Sequence, residues 1–230
     1  MTAEYNKYEL NDLFYLDALK KDKRNFLEYF LFILKKKHIL FFSFCKREDY
    51  NSRTIKIFLF VYSFVIHFFV NTLFFNDSTM HKIYLDIGLY NFSYQISQII
   101  YSVIIATILN ILIKALPLTE KNILSLKNVT INLDNKKKNL IKCLFYKFII
   151  FFIITFFLLL FFWYYISSFC AIYINTQIHL IADTVISFIL SMIYPLGFYL
   201  ISGILRKIAL RLSNENGRFL YDLSHNIQYL

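Results

Sequence analysis

Proline and glycine are nearly missing: two prolines and four glycines in 230 residues. That excludes a flexible or low-complexity linker and gives no sign of a second domain. The three cysteines, Cys45, Cys143 and Cys170, are odd in number and widely scattered, which argues against a disulfide framework or a cysteine-based zinc site. Charged residues make up only 17% of the chain, where soluble domains run near about a quarter. The first 25 residues are charged and contain no continuous apolar run, so a cleavable signal peptide is not expected and the first membrane segment would act as the signal. Catalytic grammar is also missing. The sequence has no HExxH, no GxSxG, no P-loop and no paired carboxylates within an apolar stretch, and its five histidines are scattered. No catalytic residue, cofactor or metal is expected, and the chain does not read as an enzyme.

What is present is apolar: 58% hydrophobic residues, 20% aromatic, 27 of them Phe. A helix needs about 20 apolar residues to cross a bilayer, and the stretches 57–75, 95–116, 148–170 and 184–205 qualify. Charge placement supports four crossings. Of 25 Lys and Arg, 12 precede the first stretch, 8 lie from Lys114 to Lys147 and 4 follow the fourth; Lys82 alone falls between the first and second. The positive-inside rule then puts both termini in the cytoplasm. Residues 1–56 form a cytoplasmic N-terminal region, 57–205 the four-helix transmembrane domain and 206–230 a cytoplasmic tail. Residues 26–44 are also apolar but contain Lys35, Lys36 and Lys37 mid-run. Each such charge at a bilayer centre costs about 3 kcal/mol, so this segment reads as an amphipathic helix lying in the interface. Trp163, Tyr164 and Tyr165 suit an aromatic belt.

Polar residues inside the spans are the candidate site. Span two carries Gln95, Gln98, Ser102, Ala106, Asn110 and Lys114 at steps of three and four, a ridge that slants around the helix. Amides cannot face lipid without cost, so the ridge should face other helices or water. Span one places His67 and Asn71 one turn apart. The ordinary reading makes them interhelical glue bonded to the span-two ridge, with each bond contributing about 0.6 kcal/mol. The sharper reading is a proton or ion relay, for which one histidine and no acidic residue in any span is thin. Pro195 and Gly197 mark a kink in span four, since Pro195 has no N–H for the carbonyl of Ser191; Ser187 and Ser191 suggest close packing there.

The connections add less. The loop 76–93 holds Asp77, His81 and Asp86, and the loop before span four holds His179 and Asp183; imidazole with carboxylate suits zinc, but solvated loops are the simpler reading. Asn76 and Asn91 begin glycosylation sequons close to span ends, and Asn128 begins one on the cytoplasmic side. Lys136, Lys137 and Lys138, like Lys35–Lys37, are placed to meet anionic lipid headgroups on the cytoplasmic side. The bilayer accounts for the positive charge, so no nucleic-acid partner is expected. Cys45 and Cys143 lie next to the membrane, where palmitoylation occurs.

The stretches 21–56 and 74–102, with DKR, KKKH, DYNSR and NDSTMHKIY, resemble a multi-pass membrane module of uncharacterised, often large, protist surface proteins. The likeness spans roughly residues 20–125. It implies that the module follows an extracellular region and a transmembrane helix of its own, which would make this chain a shortened or partial member. It also makes Asp49–Ser52 a juxtamembrane turn, and it carries no activity. The sequence therefore predicts an all-α membrane protein of four transmembrane helices preceded by a cytoplasmic interfacial helix. Two functions remain: a structural or anchoring module, on its own or in an oligomer with itself or another chain, or a channel or transporter subunit lined by the span-two ridge.

Overall fold

The computed structural model describes residues 10–11, 13–45, 50–120, 122–123, 133–212 and 215–228. It is 88% helical and contains no strand among the described residues. The helices are α1 (Tyr15–Lys21), α2 (Phe26–Lys37), α3 (Ile39–Phe44), α4 (Arg53–Phe74), α5 (Asp77–Leu85), α6 (Phe92–Ala115), α7 (Leu133–Ile172), α8 (Gln177–Leu212) and α9 (Glu215–Ile227). Four of them, α4, α6, α7 and α8, are long and apolar enough to cross a membrane. The chain has the all-α membrane fold that its apolar runs predict. By contact the chain divides into two compact units, one of Met1–Cys45 with Met192–Leu230, the other of Lys46–Ser191.

In the Lys46–Ser191 unit, α4 is the central helix. Ile55, Leu59, Tyr62, Ile66 and Val70 recur every three or four residues and are all buried, forming one continuous face. That face meets Ala106 of α6 and Phe162 of α7, with the Phe69 and Phe162 rings stacked 4.2 Å apart. α7 is 40 residues long, about 60 Å at 1.5 Å per residue, and starts 15 residues before the apolar stretch does. Lysine is a good helix former, so the charged segment 134–147 extends the helix; Lys136, Lys137 and Lys138 lie exposed on it, and Lys147 Nζ donates to the Leu118 carbonyl at 2.6 Å. The loop expected at 76–93 contains α5, whose N-cap Asn76 accepts from Thr79 N–H at 2.9 Å. Asn91 likewise caps α6 through Ser93 N–H, so both sequon asparagines begin helices. Asn128 and Asp49 lie outside the described residues.

In the other unit, the expected helix 26–44 is interrupted at His38, which is extended (φ −69°, ψ 122°) between α2 and α3. α2 starts with a capping box between Asn25 and Glu28 and buries Tyr29, Phe32, Ile33 and Leu34 against Tyr199 of α8. Lys35 is exposed, while Lys36 and Lys37 are half-buried, Lys36 over the Phe32 ring. His38 Nε2 donates to the Met192 carbonyl at 2.9 Å. Pro195 stands inside α8, and the helical bond it cannot make is the one to Ser191; the Met192 carbonyl lies one residue further on. Gly197 faces open space.

This unit is fastened by Arg206. Its guanidinium reaches Asp22 Oδ2 at 2.9 and 3.2 Å and the Leu10 carbonyl at 3.0 Å, and lies between the rings of Tyr29 and Tyr221 at 4.7 and 4.6 Å. Arg24 grips the same carboxylate through two bonds of 2.7 and 2.8 Å. Burial alone would raise the Asp22 pKa, but the hydrogen bond and charge of Arg24, with those of Arg206, hold it below the usual carboxylate value. Tyr15 and Tyr221 lock α1 and α9 onto the end of α8 by donating to the carbonyls of Ala209 and Leu13.

Candidate functional site

The polar residues of three long helices in the Lys46–Ser191 unit converge on one seam. α8 supplies His179, Asp183 and Ser187, spaced i, i+4, i+8 and all buried, which places them on one stripe. They lie on helix because α7 and α8 are joined tightly, by Tyr173 and a short 3₁₀ turn, Ile174–Thr176. Gln177 closes that corner by donating to the Cys170 carbonyl. The solvated loop expected around His179 and Asp183 is thus replaced by the first turns of α8.

α6 faces this stripe with the upper part of its ridge. Gln95 Nε2 donates to His179 Nδ1 at 3.4 Å, and Gln98 Nε2 donates to Asp183 Oδ2 at 3.3 Å. These two pairings run in the same direction along both helices, and the next step of the same register brings Ser102 to the depth of Ser187. Gln95, Gln98, Ser102 and Ala106 are all buried. The slant of the row carries it from α8 onto α4, where Ala106 packs, and leaves Asn110 and Lys114 half-buried beyond the seam.

The turn after α5 closes the site at its end. Tyr90 OH donates to Asp183 Oδ1 at 2.8 Å, and its ring stacks on His179. The Gly88 carbonyl accepts from His179 Nε2 at 3.2 Å. A carbonyl only accepts, so His179 carries a proton on Nε2, and with Nδ1 facing the Gln95 amide both nitrogens are committed. Gly88 (φ +75°) and Ile87 (φ +53°) are both left-handed, and the bonds from Gly88 N–H to the Ile83 carbonyl and from Ile87 N–H to the Tyr84 carbonyl make a Schellman termination of α5.

His67 and Asn71 have a different partner from the one their sequence suggests. Asn71 Nδ2 donates to Ser187 Oγ at 2.8 Å, and His67 Nδ1 lies 3.4 Å from the same oxygen. Both therefore bind α8 rather than the α6 ridge. Ser187 has one proton and two acceptors for it, the Thr184 carbonyl at 3.0 Å and His67 Nδ1, so its rotor and the histidine tautomer are linked.

The network is incomplete by its own atoms. Five buried polar atoms of the seam have no hydrogen-bond partner among the described residues: His67 Nε2, Asn71 Oδ1, Gln95 Oε1, Gln98 Oε1 and Ser102 Oγ. No basic residue pairs with Asp183 there either. Asp77 and His81 are exposed on α5 and Asp86 caps its end; among the described residues no three His, Cys, Asp or Glu side chains are grouped to hold a metal. Ser187, Asp183, His179 and Tyr90 are the members that sequence reasoning did not join to the ridge, although the 179–183–187 spacing carries the signal. Comparison with known proteins finds no matching family model, no matching curated protein and no matching solved structure.

Proposed function

We propose that the chain is a multi-pass integral membrane protein, with both termini cytoplasmic, that acts as a channel or transporter subunit through the seam of α4, α6 and α8. The observation that carries this reading is Asp183, a fully buried carboxylate whose hydrogen-bond partners among the described residues are Tyr90 and Gln98. A lone charge in a low-dielectric site is strongly unfavourable unless compensated, and ionisable groups within membranes mark ion and proton paths. The partnerless atoms of the seam extend from Gln95 to His67, about two-thirds of the way along α4. The 24-to-1 division of Lys and Arg supports the orientation.

The anchoring reading is supported by one observation of its own: the short Asn71–Ser187 bond is direct and needs no water. Thiol labelling separates the two. With the native cysteines replaced, Ser102→Cys and Ala106→Cys are exposed to a small water-soluble thiosulfonate in proteoliposomes. A hydrated path predicts labelling at Ser102→Cys. Silence at both positions, with Ser78→Cys at the exposed start of α5 reacting normally, would mean a dry seam and an anchoring or assembly module.

A further inference from the structure

We infer that the seam binds one monovalent inorganic cation of the sodium class beside Asp183, an inference that rests on the transport reading and names its ligand. Chemistry and charge both lead there. Of the five partnerless atoms, Gln95 Oε1, Gln98 Oε1 and Asn71 Oδ1 are amide oxygens, which only accept, while Ser102 Oγ and His67 Nε2 can each donate or accept. The seam has a surplus of acceptors, so its missing partner is electropositive.

The residues that carry these oxygens lie along the seam on either side of Asp183. Gln98 lies within hydrogen-bond distance of Asp183. Gln95 and Ser102 stand one turn to either side of Gln98 on the same buried face, and Asn71 is bonded to Ser187, one turn below Asp183. Carboxylate, amide carbonyl and hydroxyl oxygens are hard ligands suited to alkali and alkaline-earth ions. His179 makes no ion pair with Asp183, because its two nitrogens face the Gln95 amide and the Gly88 carbonyl.

The charge count selects among ions. One carboxylate balances one positive charge; a divalent ion would leave a net charge of +1 buried, with the same penalty that Asp183 alone carries. A proton on Asp183 balances the charge but supplies a single donor, leaving at least two of the three amide oxygens unpaired. A sodium-class ion with its bound water supplies both the charge and the donors.

The test uses the full purified chain in detergent and ²²Na⁺, with N-methylglucamine holding ionic strength constant. The expected result is saturable binding of one ²²Na⁺ per chain. Asp183→Asn should abolish it. Gln98→Leu and Ser102→Ala should weaken it at least threefold each, which keeps the test decisive if Asp183→Asn does not fold. Competition by Li⁺ and K⁺ ranks the ions within the class. Absence of ²²Na⁺ binding to folded wild-type chain, or binding unchanged in all three variants, overturns the inference. Should Ser102→Cys still label while sodium fails to bind, the cation site falls and the transport reading stands; if neither occurs, both fall.

Discussion

Asp22→Asn is the substitution that most directly tests the packing of the unit fastened by Arg206. The wild-type carboxylate accepts from two guanidinium groups, Arg24 and Arg206, whose side chains are 9% and 2% exposed. Asparagine keeps the shape and removes the charge, so the buried Arg206 loses this carboxylate and Arg24 its bidentate contact with it. Removing one partner from a buried pair costs about 3–5 kcal/mol. For a chain of this length about 1 kcal/mol corresponds to 2–4 °C, so the midpoint of thermal unfolding should fall by at least about 6 °C. Adding Arg206→Met removes the more deeply buried cation, and the double variant should therefore be less damaged than the sum of the singles by about 1–3 kcal/mol. The same carboxylate gives a pH signature. Its folded pKa lies below the unfolded value of about 3.9, so its contribution is complete above that pH and is lost as pH falls through the depressed folded value. The assay is thermal unfolding of the detergent-solubilised full chain between pH 7 and pH 2. A midpoint for Asp22→Asn within about 0.5 kcal/mol of wild type, additive singles, or equal acid sensitivity of wild type and variant would refute the argument.

Three backbone positions give further outcomes, all read as unfolding midpoints. At Gly217 an added Cβ would overlap the Tyr15 hydroxyl and stand 2.8 Å from the Ala209 carbonyl; Gly217→Ala should destabilise by about 1–3 kcal/mol, and a neutral result would mean that α1, α8 and α9 do not pack as described. Gly197 meets nothing within 4 Å, so Gly197→Ala should stabilise by up to about 1 kcal/mol; a loss would reveal a conformational need for glycine beside Pro195. Ile87 is 91% exposed and left-handed, a conformation that costs a residue with a Cβ about 1–2 kcal/mol, so Ile87→Gly should raise the midpoint, and a fall would show that the isoleucine side chain holds the turn.

The long helices were legible because two independent signals, apolar length and lysine placement, mark the same four segments. Helix ends were less so. Counting apolar residues starts α8 after Asp183, whereas the chain turns helical at Gln177 because the 3₁₀ corner leaves no loop there. That difference of about two turns hid the carboxylate from the site. The interruption at His38 escaped for another reason. Nothing in KKKHILFF breaks a helix locally, and the bend is held by a bond to a carbonyl 154 residues away. The ridge on α6 was visible as a row, yet which helix each member meets is set by packing. Ala106 and Gln98 belong to one row and face different neighbours, because the row slants, and His67 and Asn71 find α8 because Ser187 stands at their depth.

The length of α7 has a consequence for its lysines. Lys136 precedes Lys147 by 11 residues of unbroken helix, about 16 Å of axial rise. Ions in a physiological medium screen a charge over about 8 Å. With the axis upright and Lys147 at the headgroups, Lys136, Lys137 and Lys138 are therefore close to two screening lengths from the lipid surface, and the leaflet's field there is only a small fraction of its surface value. In that geometry Lys142 and Lys147 would be the lysines nearest the headgroups, and the triplet would be a positive tip presented to the aqueous phase.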